Sequence, residues 1–248
     1  MQENPNNSVD KATERLKREN KIALKYSAFL EEAKIDLIAS RLLAMNTDTG
    51  LKRRRLFFLE QAIEKASKSV YPLLLINLKN LKLSEIDKKL DEYDPLKVKH
   101  FPKELYPEIK DALHSLNKIK QGLGDKLLQS FNAKNVLKLL KESAWVESSI
   151  NAFLGDLNSL KVSNSAKNTL EKLNFFNNCI AGYYIIVLSI WIILGAEYEQ
   201  ISRYPSDKEI PINLITNLDN LQIYIEKFLK IAESDNNMKR SIVFSKVN

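Results

Sequence analysis

Arg203 is the residue of this chain whose type and position most favour binding an anion. It lies in the segment Ser202-Arg203-Tyr204-Pro205, directly after the longest apolar run. A cation at the C-terminal end of a helix is stabilised by the helix dipole. A guanidinium also matches the geometry of a phosphate or carboxylate. Two interpretations stay open: Arg203 holds a phosphate, or it pairs with an acid on a neighbouring helix, for instance Glu31 or Glu64.

Acidic pairs are the next candidates for catalytic or metal chemistry. They are Glu31 with Glu32 and Glu60 with Glu64. Their spacing is typical of ion pairs on helix surfaces, and we expect them there rather than in a catalytic or metal-binding pair. The lysines expected to pair with them are Lys34, Lys65 and Lys68.

Histidine and cysteine offer little for catalysis or metal binding. His100 falls in a connection and His114 on a helix, and each is a candidate acid or base, although an ordinary surface or packed histidine is favoured. Both are far from Cys179, the single cysteine, so no zinc-ligand spacing occurs. A lone cysteine also excludes an intrachain disulfide and indicates a reducing compartment. There is no Gly-rich phosphate loop, and we expect neither a metal nor a cofactor.

The positive charge of the chain is unevenly placed. The net charge is +7, and residues 97–141 contain ten lysines against four acids. A second basic cluster is Lys52-Arg53-Arg54-Arg55. Basic patches favour polyanions such as nucleic acid, whereas the alternative is a set of solvated helix faces. The candidate phosphate-binding residues are Arg203, Lys52, Arg53, Arg54, Arg55, Lys118, Lys120 and Lys126.

The elements that carry these residues are predicted to be helices. Glycine and proline are scarce, and long stretches are rich in Leu, Lys, Ile, Ala and Glu, which favours an all-α chain. A first amphipathic helix is expected to end near Met45, before a turn at 46–50. A second returns antiparallel, and Pro72 is expected to kink or end it. Further helices are predicted at about 109–116, 136–157 and 213–232.

Residues 173–196 contain no charge and are apolar nearly all round from Tyr183 to Leu194. A membrane span of about 20 residues and a helix buried inside a bundle both fit this pattern. The buried helix is favoured because the amphipathic helices around it need a core to pack on. Asn174, Asn177 and Asn178 at its start also disfavour a membrane.

The predicted organisation has a bundle in two parts with an insertion between them. Residues 1–9 are expected to be disordered, 10–84 to form the first part of the bundle, 85–170 the inserted helical segment, 171–233 the second part, and 234–248 a tail. The polar N-terminus lacks the apolar region of a secretory signal. We therefore expect a cytoplasmic protein.

Two segments resemble the HEPN superfamily of helical nucleotide-binding domains. They are Gln61-Ala62-Ile63-Glu64-Lys65-Ala66-Ser67-Lys68 and Arg203-Tyr204-Pro205, the latter followed by Asp207. The resemblance covers about residues 20–80 and 175–233. It implies an antiparallel up-and-down four-helix bundle, here with an inserted helical pair, that is often a homodimer. It also implies binding of RNA or a nucleotide, a minimal nucleotidyltransferase as partner, and a place in a toxin–antitoxin or defence module.

The sequence departs from the ribonucleases of that family. Those use an arginine followed, four to six residues later, by a histidine, and no histidine follows Arg203 as far as Ile210. Acid–base cleavage of RNA then lacks its usual proton carrier, so we expect binding rather than standard nuclease activity. One alternative is a ribonuclease toxin that uses Arg203 with a non-standard residue, such as His100, Tyr204 or Asp207. Another is a protein anchored in a membrane by residues 173–196.

Overall fold

The computed structural model describes residues 5–77, 140, 144, 146–148, 150–152, 166–204, 209–210 and 212–244. Within these ranges the chain forms helices and contains no strand, which confirms the all-α prediction. Most of the predicted insertion lies outside the described residues. The predicted site residues that fall there are Lys118, Lys120, Lys126, His100 and His114. Asp207 lies outside them as well.

Helices α1 (Pro5–Leu43) and α2 (Thr49–Asn77) form an antiparallel hairpin. Ser69 of α2 donates a hydrogen bond of 3.0 Å to the Tyr26 carbonyl of α1, and Lys65 lies 2.7 Å from Asp36. The predicted turn at 46–50 is present. Asp48 accepts a hydrogen bond of 3.1 Å from the Leu51 amide, which caps the first turn of α2.

Both helices of the hairpin are longer than the sequence pattern predicts. Helix α1 begins at Pro5, so residues 5–9, which we expected to be disordered, are helical. Proline is well suited to this place because its missing N–H is not needed in the first turn. Helix α2 continues through Pro72 to Asn77, so of the two outcomes expected at Pro72, a kink or an end, the helix does not end there. A proline removes one helical hydrogen bond, and the buried turns from Leu56 to Val70 hold the helix up to that point.

Helix α3 (Ala166–Arg203) supplies the centre of the hydrophobic core. Its largest fully buried side chains are Phe176, Tyr183, Tyr184, Trp191 and Tyr198. Such burial confirms the interpretation of the uncharged segment as a core helix. Across the described ranges, none of the helices combines the length and apolar character needed to span a membrane.

A short helix, α4 (Ile212–Ile215), leads into α5 (Leu218–Phe244). We predicted an end near Ala232 and a loose tail over 234–248, but α5 continues to Phe244. A buried polar contact holds this helix beyond Ala232: the Tyr184 hydroxyl donates a hydrogen bond of 2.8 Å to Asp235. Against α1, Glu233 pairs with Lys34 and Glu226 pairs with Arg41.

Candidate anion-binding site

The two segments that resemble the HEPN superfamily meet at the C-terminal end of α3. The Nη2 atom of Arg203 lies 3.6 Å from Oε2 of Glu64 in α2. One residue earlier, the Ser202 hydroxyl donates a hydrogen bond of 2.5 Å to Oε2 of Glu60. The end of α3 is thereby fixed on the middle of α2. We call Phe57, Glu60, Glu64, Lys68, Ser202 and Arg203 the Arg203 cluster.

One face of α2 carries the other members of the Arg203 cluster. Phe57, Glu60, Glu64 and Lys68 follow one another at steps of three and four residues, so they share a face of the helix. The Arg203 guanidinium lies 5.7 Å from the centroid of the Phe57 ring, within range of a cation–π interaction. The aromatic ring therefore supports one side of the guanidinium.

Glu64 is held by more than Arg203. Lys68 donates a hydrogen bond of 2.7 Å to its Oε1 atom, and the Gln61 amide donates one of 3.3 Å to Oε2. The interpretation that Arg203 pairs with a helix acid is confirmed for Glu64. Glu31, the other acid considered, lies 2.9 Å from Lys34 instead.

The prediction that Glu60 and Glu64 lie on a helix surface is wrong. Their exposed fractions are 2% and 4%, because the end of α3 packs over this face of α2. The expected ion pairs do form: Lys34 with Glu31, Lys65 with Glu32, and Lys68 with Glu64. Burial of acids together with bases is the arrangement expected for charges removed from water.

The basic start of α2 divides into two groups. Arg54 is exposed, while Lys52 and Arg53 are half-buried. Arg53 and Arg54 precede Phe57 and Phe58 by one helical turn, which places them at the edge of the Arg203 cluster. Arg55 is buried and lies on another side of the helix.

Arg55 belongs to a second polar network, the Arg55 network, which joins three helices. Its Nη2 atom lies 2.5 Å from Oδ1 of Asp219 and donates a hydrogen bond of 2.9 Å to Oε1 of Gln222. Gln222 also accepts from the Ser40 hydroxyl at 3.1 Å and donates to Glu226 at 3.0 Å. The network therefore links α1, α2 and α5.

Among the candidate catalytic residues other than Arg203, the structure describes Tyr204. Its exposed fraction is 66%, and it follows Arg203 at the end of α3. In the described part of the chain, no group of three or more His, Cys, Asp or Glu side chains is arranged to hold a metal ion. The arrangement around Arg203 suits binding of an anion beside an exposed aromatic ring.

Sequence reasoning missed Phe57 and Ser202. Phe57 lies one turn from Glu60 and Gln61 on the helix of the first family-like segment, so its spacing was a usable signal. Ser202 precedes Arg203, but nothing in the sequence indicates that it contacts a buried glutamate. That contact depends on which helix lies beside the end of α3.

Comparisons with known proteins give no match for this chain: no family model, no curated protein and no solved structure corresponds to it. The resemblance to the HEPN superfamily therefore rests on the two segments named above and stays a prediction.

Proposed function

We propose that this protein is a HEPN-like helical bundle that binds RNA or a nucleotide at the Arg203 cluster, without standard nuclease activity. The observation that carries the proposal is the arrangement at the end of α3. There Arg203 lies over the Phe57 ring and is followed by the exposed Tyr204. The exposed Arg54 precedes Phe57 by about one turn of α2.

Nucleotides offer two kinds of group to such a surface. Their phosphates accept hydrogen bonds from guanidinium groups, and their bases stack on aromatic rings, each stack contributing about 1–3 kcal/mol. Tyr204 supplies an exposed ring. Arg203 and Arg54 supply cations on two helices.

Glu64 is the obvious competitor for a phosphate at Arg203. Lys68 and Gln61 both donate hydrogen bonds to this carboxylate. If Arg203 turns toward a phosphate, Glu64 keeps these two partners and is not left as an unpaired buried charge. An exchange of partners at Arg203 therefore avoids the largest cost of opening a buried ion pair.

Binding is favoured over catalysis by the chemistry beside Arg203. Cleavage of RNA needs a group that takes a proton from the attacking hydroxyl. Glu60 and Glu64 are buried and hydrogen-bonded, which makes them poor proton acceptors for an external substrate. The sequence after Arg203 offers no histidine through Ile210.

The remaining parts of the proposal follow from the family resemblance. They are a homodimer, a minimal nucleotidyltransferase as partner, and a role in a toxin–antitoxin or defence module. Lys52 and Arg53 are included as flanking phosphate contacts, since both lie near the start of α2.

Labelled single-stranded RNA, mixed with the protein at low salt and resolved on a native gel, tests the proposal. The variants are Arg203→Ala and Arg54→Ala. Lys230→Ala is the matched control, because Lys230 is an exposed cation on α5, a helix that contributes no residue to the Arg203 cluster. A denaturing gel of the same samples reports cleavage.

We expect intact RNA to be retarded by the wild type and by Lys230→Ala, and retarded about tenfold less well by the two arginine variants, a change of about 1.4 kcal/mol. Equal binding by all four proteins would contradict the proposed site. RNA cleavage abolished by Arg203→Ala would instead identify a ribonuclease with a non-standard active site.

A further inference from the structure

The Arg203 cluster holds as many negative side chains as positive ones. Its two carboxylates, Glu60 and Glu64, are both buried, and so is the cation Lys68. The fourth charge, Arg203, is only partly exposed. With all four side chains ionised, their charges sum to zero. A ligand phosphate at Arg203 therefore meets a cluster without excess positive charge.

Both carboxylates keep a partner when Arg203 binds a ligand. Glu64, which lies 3.6 Å from Arg203, still accepts the hydrogen bond of 2.7 Å from Lys68. Glu60 accepts its hydrogen bond from the neutral Ser202 hydroxyl at 2.5 Å. Because neither carboxylate depends on Arg203 alone, both negative charges remain beside the bound phosphate.

The number of charges on the phosphate then decides how well it binds. A phosphodiester carries one negative charge, which a charge-assisted hydrogen bond to Arg203 satisfies. A terminal phosphate carries nearly two at neutral pH, because its second pKa is about 6. For that second charge, attraction to the cations of the cluster is offset by repulsion from Glu60 and Glu64. Its removal from water still costs free energy, so the second charge weakens binding.

The cations at the start of α2 lie at a different level of the helix. Arg53 and Arg54 precede Phe57 by four and three residues, which places them about 5–6 Å away along the helix axis at 1.5 Å per residue. Arg203 lies over the Phe57 ring, so these arginines are offset from it along α2. Cations spread in this way suit successive phosphates of a strand, as in grooves that follow a single-stranded backbone.

We infer that the Arg203 cluster selects the singly charged phosphodiester of a nucleic-acid chain over the doubly charged phosphate of a mononucleotide. The inference rests on the proposed binding of RNA or a nucleotide at this cluster, and it decides between the two. Glu64 is the residue that determines the preference, because its negative charge stays next to Arg203 in the complex.

Competition against labelled single-stranded RNA at low salt tests this preference. The competitors are uridine monophosphate and its phosphate methyl ester, which share base and sugar and differ by one methyl group and about one charge. Fluorescence anisotropy gives the concentration of each compound that displaces half of the RNA from the wild-type protein. The same titrations with Arg203→Ala show whether the RNA is bound at this cluster.

We expect the methyl ester to displace the RNA at an about tenfold lower concentration than uridine monophosphate. Equal displacement, or stronger displacement by uridine monophosphate, would overturn the inference and leave RNA binding in place. Displacement by neither compound would overturn it too, because a single phosphate then fails to reach Arg203. RNA that does not bind, or that binds Arg203→Ala equally well, would instead overturn the proposed function and the inference with it.

The variant Glu64→Gln tests the origin of the preference. Glutamine keeps nearly the shape of glutamate and removes one negative charge, so the Arg203 cluster becomes positive. We expect the preference for the methyl ester to disappear or reverse in this variant, and to persist in the control Lys230→Ala, with unchanged helical circular dichroism in both. An unchanged preference in folded Glu64→Gln would contradict the assignment to Glu64.

Discussion

Two arginines of this protein, Arg55 and Arg203, occupy polar networks of different design. Side-chain exposure is 8% for Arg55 and 18% for Arg203. Arg55 makes short contacts, 2.5 Å to Asp219 and 2.9 Å to Gln222. Arg203 lies 3.6 Å from Glu64 and stacks on Phe57. Arg55 therefore links α2 to α5 through short contacts, whereas Arg203 is a partly exposed cation.

The acids that face the two arginines explain the difference. Asp219, the carboxylate beside Arg55, is itself mostly exposed, so its charge stays solvated while it holds a buried guanidinium. Glu64, the carboxylate beside Arg203, is buried and has Lys68 and Gln61 as further partners. Removing Arg55 therefore takes away a link between helices, whereas removing Arg203 leaves Glu64 with two hydrogen-bond donors.

The largest effect on stability is expected when Arg55 is replaced. Arg55→Ala removes the hydrogen bond to Gln222 and the contact with Asp219, and it leaves a space in the packed region between α2 and α5. We expect it to lower the free energy of unfolding by about 3 kcal/mol. Urea denaturation measures this loss. The control is Arg54→Ala, at an exposed neighbouring residue, whose effect on the free energy of unfolding should stay within about 0.5 kcal/mol. Equal losses of stability in the two variants would show that Arg55 does not link the helices as described.

Replacing Glu64 is expected to have a smaller effect, an increase in the affinity for RNA. Glu64→Gln removes a negative charge beside Arg203 and keeps nearly the same shape. Because Lys68 then lacks its carboxylate, the Arg203 cluster becomes more positive. We expect RNA affinity at low salt to increase about tenfold, equivalent to about 1.4 kcal/mol. Fluorescence anisotropy measures it, and unchanged affinity would show that Glu64 does not compete for Arg203.

The smallest effect concerns Asp36, a buried acid in the hairpin far from both arginines in sequence. Burial raises the pKa of its carboxyl, although the hydrogen bond from Lys65 at 2.7 Å acts in the opposite direction. A raised pKa in the folded state means that Asp36 favours folding most below its unfolded pKa, and that this contribution is lost as pH rises through the folded value.

Asp36→Asn imitates the protonated acid, so the variant should become more stable relative to the wild type as pH rises from about 3 to 7. Denaturation at several pH values measures the difference. If the wild type instead gained relative stability with rising pH, the ion pair with Lys65 would outweigh the effect of burial.

The helical fold was predictable because apolar residues at steps of three and four mark the core face of each helix. Tyr26, Leu37 and Leu59 all occupy such positions and are buried. Helix ends were less predictable. Helix α5 continues past Ala232 because Asp235 meets Tyr184, and a contact between residues 51 apart leaves no local signal in the sequence.

The candidate site was predictable in part. The position of Arg203 at the end of an apolar helix suggested either a phosphate or a helix acid, Glu31 or Glu64, as its partner, and the structure shows Glu64. The burial of Glu60 was not predictable, because it depends on Ser202 and the end of α3 lying over α2. Likewise, the four basic residues from Lys52 to Arg55 look alike in sequence, and only the helix rotation separates Arg55 from the other three.

The salt dependence of RNA binding, compared between Arg203→Ala and Arg55→Ala, tests the central claim most directly. Each phosphate contact that is lost reduces the slope of log affinity against log salt concentration by about 0.7 for single strands. We predict that Arg203→Ala lowers both the affinity and this slope by about one contact. Arg55→Ala should leave both unchanged while the protein stays folded. Equal loss in the two variants, or a slope that Arg203→Ala does not change, would contradict the assignment of Arg203 as the anion-binding arginine.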